Sequence, residues 1–124
     1  MRDHSKLMAF KLADQLACAV YRHTSGMPPE EKFGLTLQMR KAAVSVASNI
    51  VEGCARHTES DYLRFLDMAY GSVRELEYQI SLAGRLGYLD DEEQKALVPL
   101  ATETSKVVGG LIRALRRKGK SRVR

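Results

Sequence analysis

The chain has 124 residues, 44% of them hydrophobic, which fits one domain with a real core and excludes a disordered chain. Its net charge of +5 is local: the last twelve residues, RALRRKGKSRVR, hold seven basic side chains and no acid, while the preceding 112 residues are slightly acidic. No run reaches the roughly 18 apolar residues of a membrane span, no signal-peptide core follows the N-terminus, and Cys18 and Cys54 lack close spacing, so a cytoplasmic chain without disulfides or membrane association is expected.

No segment alternates as a strand does, and four stretches carry helical periodicity. The first runs from about Ser5 to His23, with Ala9, Leu12, Leu16, Ala19 and Val20 on its apolar side. Gly26, Met27, Pro28 and Pro29 end it, because proline cannot continue a helix and disfavours helical geometry just before it. Glu30 and Glu31 then stand where the next helix's dipole favours acids.

The second segment, Phe33–Arg56, is apolar over roughly 220° of arc, where a surface helix needs only about 100°. Leu35, Met39, Ala42, Ala43, Val46 and Ile50 form one apolar face. Phe33, Leu37, Val44, Ala47 and Val51 form a second, interrupted by Arg40, and these five are the expected oligomer interface. The first face packs in the chain's own core, and a second copy is the economical cover for the other. Between them runs a polar stripe of Gly34, Gln38, Lys41, Ser45, Ser48, Asn49 and Glu52, whose expected role is helix packing rather than ligand binding. Gly53 is placed as the C-cap.

Thr58 reads as the N-cap of the third helix, with Glu59 and Asp61 in its first turn. Tyr62, Leu66, Ala69, Val73, Leu76, Ile80 and Ala83 make a seam with alternating steps of four and three, the spacing of a left-handed bundle, and Gly87 ends it. Asp90 and Glu93 form a capping box for the fourth helix, whose seam is Leu97, Ala101, Thr104, Val108, Leu111 and Leu115. Pro99 inside that span either kinks the helix or marks its true start. Gly109 and Gly110 weaken it or allow a close helix contact. Short connections make neighbours antiparallel, so the expected fold is all-α: an up-down-up-down four-helix bundle over residues 1–115 with a basic tail, 116–124.

The chemistry of an enzyme is missing. There is no Glu-x-x-His for a di-metal site, His4, His23 and His57 have no partner at ligand spacing, and no base accompanies Cys18 or Cys54 beyond His57 beside the latter. No catalysis, metal or cofactor is expected. The cationic end reads as a phosphate-binding arm. Arg113, Arg116, Arg117, Lys118, Lys120, Arg122 and Arg124 are its candidate contacts, with Arg40, Lys41 and Arg56 beside them. No aromatic interleaves with the cations in sequence, so base stacking by the tail is not expected.

Phe33-Gly34-Leu35, Gln38-Met39-Arg40-Lys41-Ala42, Val44-Ser45-Val46, Ser48-Asn49-Ile50 with Glu52-Gly53, Tyr62 with Phe65-Leu66, Gly71-Ser72 with Glu75-Leu76, and Leu86-Gly87-Tyr88-Leu89 resemble a bacterial family of four-helix-bundle proteins. These are the proteins encoded in intervening sequences of large-subunit ribosomal RNA genes, together with the accessory variability determinant proteins of diversity-generating retroelements. The resemblance spans about Lys6 to Leu115. It implies a homopentameric ring or barrel without catalysis and, for the retroelement branch, binding of RNA or DNA and association with a reverse transcriptase. The chain departs from the family at Ala47, where proline is frequent, and at Phe10, where tryptophan is frequent; neither change disturbs a helix. The expected function is thus a non-catalytic nucleic-acid-binding accessory factor. The alternative is a structural or protein-interaction bundle from an intervening sequence, without a nucleic-acid role.

Overall fold

In the computed structural model, which describes residues 2–123 with side chains through Lys120, four helices form in chain order: α1 (Met8–Thr24), α2 (Leu35–Cys54), α3 (Glu59–Arg85) and α4 (Asp91–Val123). Sequential neighbours pack on one another, and α1 closes the ring against α4. No diagonal pair, α1 with α3 or α2 with α4, packs together among the described residues. This is the up-down-up-down arrangement that short connections impose.

The helix starts and stops follow local chemistry. Asp3 accepts from the Ser5 N–H at 3.1 Å and holds a 3-10 turn over His4–Lys6, so α1 begins at Met8 rather than Ser5. Pro29–Glu31 make a second 3-10 turn. The Glu31 carboxylate then accepts the Leu35 N–H at 3.0 Å and caps α2. A Cβ on Gly34 would meet that carboxylate, which accounts for the glycine of Phe33-Gly34-Leu35. Phe33 consequently lies in the turn before α2, 81% exposed, and not on its second apolar face. Thr58 caps α3 through Asp61, and Asp90 and Glu93 exchange their two cap bonds at 3.0 and 2.8 Å. With that box in place α4 starts at Asp91 and carries Pro99 on its exposed side. Gly87, at φ +77, is the left-handed residue that ends α3, where the Tyr88 N–H reaches the Ala83 carbonyl.

The core is the set of inward faces expected from periodicity. Leu16, Val20, Met39, Val46, Ile50, Leu66, Val73, Leu76, Ile80, Leu97 and Val108 are buried. Along α4 the seam turns after Val108: Ile112 is buried and Leu111 and Leu115 are only partly covered. Gly53 is not a cap. It lies inside α2, where a Cβ would stand 3.0 Å from Phe65 Cβ and 3.2 Å from Tyr62 Cδ1. Its missing side chain lets α3 approach α2. The polar stripe is partly a helix contact, as expected: Ser45 Oγ meets Ser72 Oγ at 2.9 Å, and Asn49 Nδ2 donates to the Ser45 carbonyl at 2.8 Å. The Ser45–Ser72 bond crosses from α2 to α3 and helps fix their register, while the Asn49 bond stays within α2.

Candidate nucleic-acid interface

Antiparallel packing divides the molecule into two ends. One gathers the start of α1, the end of α2, the start of α3 and the C-terminal turns of α4. The other holds the α1–α2 and α3–α4 connections. The cations of α4 fall at the first end. Arg113, Arg116, Arg117, Lys118 and Lys120 are all exposed there on a helix that runs unbroken to Val123. Residues 116–123 are therefore helical, continuous with the bundle. Arg122 lies beyond the last described side chain, and Arg124 lies outside the described residues.

Among these cations, Arg116 is paired, its guanidinium donating to Asp67 Oδ2 on α3 at 2.7 Å. Arg117, Lys118 and Lys120 take part in no ion pair among the described residues. Between α3 and the last turns of α4 lies an open groove of about 700 Å³. Leu63 and Leu115 floor it, Glu59 and Asp67 stand on the α3 side, and Arg116 and Lys120 on the α4 side.

Arg56 sits at the same end, at the α2–α3 corner. Its Nε donates to the Glu52 carbonyl at 3.2 Å, and its guanidinium lies 5.2 Å from the Phe65 ring centre. Two further cations join it that sequence reading did not select. Arg64 stacks on the same ring at 4.6 Å, and Arg2 lies 3.9 Å from the Tyr62 ring centre. The Arg2 N–H also donates to the Cys54 carbonyl at 3.1 Å, which brings the N-terminal segment across the end of α2. Arg2 is far from the others in sequence, so only this strap reveals its place. Burial pushes the Cys54 thiol up from its ordinary value, and pushes the Tyr62 phenol beside it to about 12.

Arg40 and Lys41 are elsewhere. Arg40 is half-buried toward the loop end, where its guanidinium donates to Thr24 Oγ1 at 3.0 Å and to the Tyr21 carbonyl at 3.2 Å, and lies over the Tyr21 ring. It ties α1 to α2. Lys41 is exposed in the first half of α2, apart from the α4 cluster.

The outward stripe of α2 stays open in the single chain. Leu37 is 37% and Val44 42% exposed, and Ala47 and Val51 are partly covered. Among the described residues no group of three or more His, Cys, Asp or Glu side chains converges as metal ligands would, and no helix is long and apolar enough to cross a membrane.

Fold and surface together define an all-helical bundle with a cationic end and an open apolar helix face. The chain belongs to the family of 23S rRNA-intervening sequence proteins, whose model matches residues 5–110. Its fold is similar to that of a solved protein of unknown function from the S23 ribosomal protein family of Bacteroides thetaiotaomicron, at a TM-score of 0.77 and 22% identity over 85% of this chain and 95% of that one. No curated protein matches the chain.

Proposed function

We propose that this protein is a non-catalytic, homo-oligomeric bundle that binds nucleic acid through its phosphates, using the cationic end of α4. The observation that carries this reading is the exposure of Arg113, Arg117, Lys118 and Lys120 on one helical end, in no ion pair among the described residues, with Arg2, Arg56 and Arg64 at the same end of the bundle. Guanidinium and ammonium groups so placed release condensed counterions from a polyanion. The stripe of Leu37, Val44, Ala47 and Val51 supplies the contact between copies. The family resemblance implies five copies and, for its retroelement branch, an accessory role beside a reverse transcriptase. A ring would present several cationic helix ends to one strand and add avidity.

Binding of labelled single-stranded RNA and duplex DNA to the full chain, measured against salt, tests the phosphate role. The expected result is affinity that falls steeply and linearly with log salt. No binding at low ionic strength would favour a protein-interaction module instead. Light scattering tests the assembly: the expected mass is several times 13.9 kDa, reduced by Val44→Glu. A clean monomer removes the oligomer.

A further inference from the structure

One part of the cationic end differs from an open basic helix. Tyr70 of α3 packs onto Gly109 of α4, where a Cβ would stand 3.2 Å from Tyr70 Cε1 and 3.3 Å from an Arg113 guanidinium nitrogen. Glycine thus lets an aromatic ring and a guanidinium converge over the α4 backbone. Arg116 follows Arg113 by three residues and shares its side of the helix. Asp67 precedes Tyr70 by three residues and places Oδ2 2.7 Å from the Arg116 guanidinium. Asp67, Tyr70, Gly109, Ile112, Arg113 and Arg116 line one small open pocket of about 170 Å³. The fold therefore does what the sequence order of α4 does not: it places an aromatic side chain among the cations.

We propose that this pocket is a one-phosphate site for single-stranded nucleic acid, in which the Asp67 carboxylate stands where the phosphate will bind. The inference rests on the polyanion reading and gives it a residue-level site. A carboxylate and a phosphodiester accept from a guanidinium in the same way, through paired anionic oxygens. Binding exchanges one for the other on Arg116 and engages Arg113 as well. Tyr70 offers its ring to the base attached to that phosphate, and stacking of this kind requires an unpaired base. Asp67 also makes the site selective. A free phosphate must displace the carboxylate unaided. A strand already held by Arg117, Lys118 and Lys120 presents its next phosphate at high local concentration.

The test uses the full chain, a fluorescein-labelled oligothymidylate and inorganic phosphate as competitor, with helicity checked by circular dichroism. Asp67 and Arg116 are both about half exposed, so their substitution should leave the fold intact. Asp67→Asn should bind the oligonucleotide about two- to fivefold more tightly, the range expected from releasing one exposed ion pair. Its salt slope should steepen by about 0.7, the value of one phosphate on a single strand. In an Arg116→Ala background the same substitution should change nothing. Inorganic phosphate should compete poorly with the wild type and measurably better with Asp67→Asn. An Asp67→Asn chain that binds no better, beside a wild type that binds, overturns the site and leaves the general polyanion role standing. A gain that persists without Arg116 reflects net charge alone and also overturns it. A wild type that binds no oligonucleotide removes both readings. Equal affinity for duplex and single strand overturns the stacking role of Tyr70.

Discussion

At the loop end of the bundle, Arg40 donates to Thr24 and Tyr21 and lies over the Tyr21 ring. At the other end, Arg117, Lys118 and Lys120 stand on the last described turns of α4 with no ion pair among the described residues. The loop end is also knotted by Glu31, whose two carboxylate oxygens take the Leu35 N–H and the Tyr88 hydroxyl, joining both connections. That hydrogen bond raises the Tyr88 phenol above its ordinary value. Arg40 at the loop end serves the fold, whereas Arg117, Lys118 and Lys120 of α4 have no ion-pair partner among the described residues and stay available to a ligand. Being cationic is therefore a poor guide to function in this chain, and being uncommitted is a better one.

Substitutions separate the two ends of the bundle. The largest effect should come from Gly53→Leu, which forces a side chain against Phe65 and Tyr62 and should cost about 3 kcal/mol in urea unfolding by overpacking the α2–α3 contact. Unchanged stability would mean that the helices at the cationic end are not in close contact. Next is the alkaline response of Tyr62. Its phenol keeps its proton to about 12 in the folded chain but loses it near 10 when unfolded. Between those values the native state binds more protons than the unfolded one, so stability is fully present below pH 10 and falls as pH rises toward 12, by up to about 2 kcal/mol. Tyr62→Phe should flatten that part of the pH profile, and an unaltered profile would contradict the assignment.

Arg40→Ala should cost about 1 kcal/mol through its lost hydrogen bonds and ring contact, without altering nucleic-acid affinity. An Arg40→Ala chain of full stability and reduced affinity would erase the contrast between the ends. The smallest effect is a gain. Gln79 is buried and its Oε1 has no hydrogen-bond partner among the described residues, so Gln79→Leu should raise thermal stability by up to about 1 kcal/mol.

Much of this was legible in the sequence, and what was not has a common cause. The core face of α2 and the seam of α3 are readable because helical period maps sequence spacing directly onto burial. The caps at Thr58 and Asp90 are readable because both are local. Gly53, Tyr70, Asp67 and Arg2 are different. Each owes its role to a neighbour on another element: Phe65 for Gly53, Gly109 for Tyr70, Arg116 for Asp67, Cys54 for Arg2. The contacts of Arg40 are of the same kind, since only the packed structure shows its guanidinium engaged with α1. Phe33 misleads through a local cap formed by a side chain, Glu31, that periodicity does not weigh. The motif Phe33-Gly34-Leu35 thereby gains a physical reading: a glycine that lets a carboxylate reach the first N–H of α2.

The α4 cations, and not those toward the loop end, are the groups expected to meet phosphates. The most direct measurement is the slope of log affinity against log salt for single-stranded RNA, in the wild type, in Arg117→Ala/Lys118→Ala/Lys120→Ala and in Arg40→Ala/Lys41→Ala. The α4 variant should keep its fold and lose about 2 from the slope, at about 0.7 per phosphate, while the α2 variant should keep the wild-type slope. Equal slopes for the α4 variant and the wild type, or a loss confined to the α2 variant, would contradict it.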